Sequence, residues 1–145
     1  GSIIGGWFSG KLMETMSVNI SRKITITLGG IMIFIGLLGI IFLVNENNFM
    51  TFIYIATLVL FGFQFAIGNI QTISSDLFRG TSVGTLAGLA GTVAALSVMV
   101  MNWFIGQITT SSYTPAFIVI AITIPLSLVS LYVLIKEIGP VRKTI

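Results

Sequence analysis

The sequence predicts an all-α membrane protein, an antiparallel transmembrane helix bundle, and three observations lead there. Of 145 residues, 55% are hydrophobic and 8% charged, with a mean hydropathy of +1.08. A soluble domain of this size has a high surface-to-volume ratio and needs many more charged side chains to cover it. The charges are also gathered: Lys11, Glu14, Arg22 and Lys23 in one group, Asp76 and Arg79 in another, Lys136, Glu137, Arg142 and Lys143 in a third, with Glu46 alone. Between the groups lie charge-free apolar runs as long as a bilayer is thick, joined by short polar connections.

The elements follow in order. Ile3 to Phe8 is apolar but too short to cross, and the start has no initiator Met, basic n-region or cleavage site. It is no signal peptide, and residues 1–10 read as the tail of a preceding span, cut from a longer protein. Residues 24–44 form the first complete span, about 31 Å at 1.5 Å per residue. Residues 49–74, 84–108 and 113–135 give three more, free of ionisable groups apart from tyrosines. Pro125, in the middle of the last, predicts a kink, because its missing N–H and its ring disturb the turn before it. The connections at 45–48, 75–82 and 109–112 are short, so neighbouring spans run antiparallel. No internal repeat or low-complexity linker divides the chain, and residues 1–145 read as one domain.

Alternating spans put every Lys and Arg on one side, with Glu46 on the other. The positive-inside rule makes the basic side, with the C-terminus, cytoplasmic. That places a multi-pass protein in a cell membrane, such as a bacterial inner membrane, with lipid as its surroundings. Trp7, Phe49, Trp103 and Tyr113 fall near the interfaces, as belt aromatics do. The pI of 9.6 comes from charges at span ends, so it signals topology rather than nucleic-acid binding. With no cysteine and no histidine, disulfides, the usual zinc sites and histidine triads are excluded, and no cofactor or metal site is read.

On the second span, Tyr54, Thr57, Gln64, Gly68, Gln71, Thr72 and Ser75 fall within an arc of about 100°, with Asn69 outside it. Such a stripe faces other helices or a wet cavity, since unpartnered amides are costly in hydrocarbon. The hydroxyls suit bonds back to their own helix. Gln64, Gln71 and Tyr54 are cavity-lining candidates, with helix-to-helix bonding the competing role for the amides. On the third span Gly84, Gly88, Gly91, Ala95, Asn102 and Gly106 share a face of small residues that suits close packing. Asn102 there either reaches a cavity or bridges two helices. Gly29 and Gly36 give the first span a similar, weaker face. Asp76 and Arg79 read as a loop pair or helix cap.

The loops carry a resemblance. Gly5-Gly6-Trp7-Phe8-Ser9-Gly10-Lys11, followed by Ser17 to Lys23 opening the next helix, resembles the major facilitator superfamily and its anion:cation symporter branch, to which hexuronate and galactonate transporters belong. Ser75-Asp76-Leu77-Phe78, the run Gly84 to Gly91 and the terminal Lys136 to Val141 are similar to the same branch. Gly10 stands where the superfamily's loop signature usually has Asp. The resemblance implies the end of helix eight through helix twelve of a twelve-helix protein, part of its C-terminal half, with the N-terminal transmembrane helices missing. It also implies a small organic anion as substrate, a coupling ion, alternating access, and a cavity-lining place for the second span as helix ten. Spans without carboxylate, Lys or Arg then leave the anion-binding and proton-carrying groups to helices elsewhere, and the fragment unable to transport alone. The competing reading is a small multi-pass membrane anchor or assembly subunit without transport. An intramembrane enzyme has little to work with, since the spans offer only amides and hydroxyls.

Overall fold

The structure, a computed structural model, describes residues 1–44, 48–78, 81–110 and 112–138. Five helices follow one another: α1 (Ser2–Met13), α2 (Val18–Leu43), α3 (Phe49–Leu77), α4 (Thr81–Ile108) and α5 (Thr114–Leu134). There is no strand among the described residues, and α2 to α5 are each long and apolar enough to cross a membrane. The chain is therefore an all-α membrane helix bundle.

Helix α2 starts at Val18, ahead of its apolar run, because Ser17 caps it. The Ser17 backbone is extended (φ −65°, ψ 153°), and its hydroxyl accepts the Ile20 N–H at 3.4 Å. At 1.5 Å per residue α2 is about 39 Å long and α3 about 43 Å, against a hydrocarbon layer of ~30 Å. The extra turns carry Arg22, Lys23 and Asp76 to the edge of the apolar layer, where charge is tolerated. Helix α5 runs unbroken through Pro125.

Helix α2 is the centre of the bundle. Among its buried positions Ile26, Gly29, Ile33, Gly36, Leu37 and Ile40 recur at helical spacing. Helix α3 lies against it antiparallel, and α5 antiparallel on another side, with Ile33 and Leu37 meeting Ala121 in a small core bordered by Val59, Phe117 and Ile124. Glycine sets the α2–α3 distance. A Cβ on Gly29 would lie 2.7 Å from both the Gly62 carbonyl oxygen and Ala66 Cβ, and one on Gly62 would lie 2.9 Å from the Gly29 oxygen. Each helix thus meets the other's backbone, which only small residues permit.

Helix α1 runs parallel to α3, its Gly5 set directly on the Phe65 backbone and Phe8 against the Phe65 ring at 5.6 Å between centroids. Among the described residues the close crossing falls on Gly29 and Gly36, expected to be the weaker face, while no described atom lies within 4 Å of a Cβ on Gly84, Gly88, Gly91 or Gly106 of α4. Among the described helices α4 touches only α3 and α5, and none of its described side chains is buried. Spacing shows which face of a helix is small; it does not show whether a neighbour arrives.

Candidate functional site

The ends of α1, α2, α3 and α5 that carry the charges lie together, and there the polar contacts are densest. Arg22 projects from the first turns of α2 toward α3. Its Nε donates to Asp76 Oδ2 at 2.8 Å, and its Nη1 donates to Asn69 Oδ1 at 2.8 Å and to Ser9 Oγ at 3.4 Å. Asn69 passes the link on, its amide donating to the carbonyls of Gly5 at 3.4 Å and Phe65 at 3.3 Å. Ser9 is fully buried, Asn69 is 1% exposed, and the Arg22 and Asp76 side chains are 15% and 20% exposed. A mostly buried charge persists only when paired and bonded, and this one, on α2, is satisfied by partners from α1 and α3. Among the described residues no buried side-chain nitrogen or oxygen lacks a partner.

One sequence expectation is corrected by this network. Asp76 lies inside α3, not in a loop, and its partner is Arg22, 54 residues earlier. The expected pairing with Arg79 falls outside the described residues. Asn69, outside the polar stripe, is the α3 amide that bonds to other helices. A signal was present: successive antiparallel spans bring Arg22 and Asp76 to the same side, so opposite charges there are natural partners.

The four cavity-lining candidates lie elsewhere. Tyr54, Gln64 and Gln71 fall on the exposed side of α3, with Tyr54 74% exposed, and Asn102 is exposed on α4. The side chains of the four make no hydrogen bond to another described residue, although the Gln71 carbonyl accepts the Ser74 hydroxyl at 3.2 Å. Gln64 borders the start of α1, its Cβ 2.7 Å from where a Cβ on Gly1 would stand. The neighbouring hydroxyls bond within their own helix as expected: Thr57 to the Ile53 carbonyl, Thr72 to that of Asn69 and Ser75 to that of Thr72. The Gln64 and Gln71 amides are left facing outward, unlike that of Asn69.

At the opposite end of the bundle, an apolar cleft of about 620 Å³ opens between α2, α3 and α5, walled by Ile40, Ile41, Phe52 and Phe117 with Ser112 and Tyr113 at its edge. A smaller hollow of about 160 Å³ lies between the same helices around Gly30, Phe63 and Leu128. Neither is lined by the four candidates. No group of three or more Asp and Glu that could hold a metal occurs among the described residues.

Four helices long and apolar enough to cross a membrane, joined at one end by a charge network, define a multi-pass helical membrane protein. The chain is 32% identical over 130 residues to the hexuronate transporter of Escherichia coli K12 and, equally, to that of E. coli O157:H7. It is a homologue of the hexuronate transporters, in agreement with the major facilitator resemblance of its loops. The match takes in 84% of this chain and 28% of each transporter, so the chain spans little more than a quarter of their length. No family model and no solved structure matches it.

Proposed function

We propose that this chain is part of a secondary active transporter of organic anions, sugar acids such as hexuronates or aldonates, coupled to protons or another cation and working by alternating access. The observation that carries the reading is the identity to hexuronate transporters along most of the chain. The exposed amide side of α3 supports it. Gln64 and Gln71, seven residues apart, return to nearly the same face, about 20° and roughly 10 Å apart. An amide both donates and accepts, so in this reading the pair orients the hydroxyls of a sugar acid, with Tyr54 and Asn102 as further lining. The substrate's carboxylate then takes its cation from another helix, since residues 24–44, 49–74, 84–108 and 113–135 contain no Lys or Arg. Further helices pack on the open side of α4 in the transporting unit, and residues 1–145 alone do not transport. The basic end faces the cytoplasm of a cell whose inner membrane holds the protein.

The test is made in the full-length transporter. Gln64→Leu is expected to lower hexuronate uptake about five- to tenfold, the worth of one or two lost hydrogen bonds, with membrane abundance unchanged. Gln64→Cys is expected to react with a small aqueous thiol reagent and to be protected by a hexuronate. If Gln64→Cys stays unlabelled in the working transporter while Val59→Cys, on the side of α3 packed against Gly36, reacts, the lining face is misassigned.

A further inference from the structure

The neighbour of Arg22 is bonded in the opposite direction. Lys23 is 8% exposed, yet among the described residues no carboxylate lies within ion-pair distance of it. Its ammonium donates instead to the Lys136 carbonyl at 3.0 Å and stands 5.4 Å from the centre of the Tyr132 ring. One turn earlier on α2, Asn19 Oδ1 accepts the backbone N–H of Ile138 at 3.1 Å, and one turn later the Thr27 and Tyr132 hydroxyls share a hydrogen bond of 2.9 Å. Helix α5 ends at Leu134, and residues 135–138 beyond it are not helical, so their backbone needs partners outside a helix. Side chains of α2 supply such partners, and Ile138 is pressed to 2% exposure.

We propose that residues 135–138 form a latch across the basic end of α2, kept shut by Lys23 and Asn19, whose opening frees that end of α5 from α2. The grip consists of a few side-chain contacts at one end of the α2–α5 contact. The apolar packing of Ile33 and Leu37 against Ala121 lies turns away and does not depend on them. Local opening is confined to segments with few buried apolar contacts, and this segment has one, Ile138. Lys23 is the keeper because its ammonium is both a donor to the latch backbone and a cation over the ring of α5; Arg can imitate both roles and Met neither.

This chain has no cysteine, so a single introduced thiol reports latch opening. In the purified full-length protein, with any cysteines outside these residues removed, Ile138→Cys is expected to react with a maleimide at least about tenfold more slowly than Glu137→Cys, because it must wait for local opening. Lys23→Met and Asn19→Ala are each expected to speed the Ile138→Cys reaction several-fold, with Lys23→Arg keeping most of the protection. Leu37→Cys in the Lys23→Met background serves as the control. If it becomes reactive, that variant has unfolded and the Asn19→Ala result alone decides. The latch is overturned if Ile138→Cys reacts as fast as Glu137→Cys in the parent protein, or if the variant that remains folded leaves its rate unchanged. None of these readouts depends on which substrate is carried.

Discussion

Replacing Gly29 with alanine tests whether helix approach, rather than the charge network, sets the α2–α3 pairing. The added methyl would stand 2.7 Å from the Gly62 oxygen and from Ala66 Cβ, where ordinary contact begins at 3.4 Å. The helices must therefore part by about 0.7 Å, and a gap of that size forfeits a quarter to a half of the dispersion energy of each contact that it opens. Backbone is involved on one side, so the clash cannot be relieved by a rotamer change. The expected cost is about 1–3 kcal/mol, the range of overpacked cores. Gly6→Ala is the reference, because nothing lies within 4 Å of its Cβ. It is expected to change stability by less than about 1 kcal/mol and in the favourable direction, since alanine is the better helix former. Reversible unfolding of the full-length protein in detergent, read by the denaturant midpoint at constant slope, measures both. Equal stabilities for Gly29→Ala and Gly6→Ala would refute the reasoning.

The charge network yields three further expectations. Arg22→Met leaves Asp76 half-buried without its donor and is expected to lower stability by about 2–3 kcal/mol, while Asp76→Asn, which keeps an acceptor for Nε, costs about 1 kcal/mol, both read by the same unfolding assay. The double change Arg22→Met with Asp76→Leu is expected to recover part of the loss, as removal of both partners of a buried pair often does; strict additivity would show that the two do not interact. Asn69→Leu strands one donor of Arg22, removes the amide's link to α1 and is expected to cost about 1–3 kcal/mol, with α1 becoming more accessible to protease. For topology, a reporter fused after Ile145 is expected to be active only in the cytoplasm, and activity on the outer side alone would reverse the orientation.

The crossing helices were legible because each lasts longer than a bilayer is thick and is bounded by polar residues. Boundaries moved where a local cap or an extra turn extended a helix past its apolar run, as Ser17 does for α2 and as Asp76 shows at the end of α3. The network was less legible because a polar stripe is a property of one helix, whereas a hydrogen bond belongs to two. Asn69 points away from Gln64 and Gln71, so the single-helix projection set it aside; only the arrival of α1 and α2 on that side gives it partners. The same limit applies to glycine. Gly88 and Gly29 look alike in sequence, and what separates them is that Gly62 crosses the second and nothing described crosses the first.

The place of α5 has a consequence for the order in which the bundle is assembled. Helix α2 receives α3, its successor in the chain, but its other side, around Gly30 and Ile33, is filled by α5, which leaves the ribosome only after all of α4. Throughout that interval the α2–α3 hairpin lacks α5 on that flank. Helix α4 has to insert without claiming that flank, and its sparse attachment to the rest of the bundle is what lets α5 pass by it. Changes that give α4 greater affinity for α2 are therefore hazardous during synthesis even where the finished bundle tolerates them.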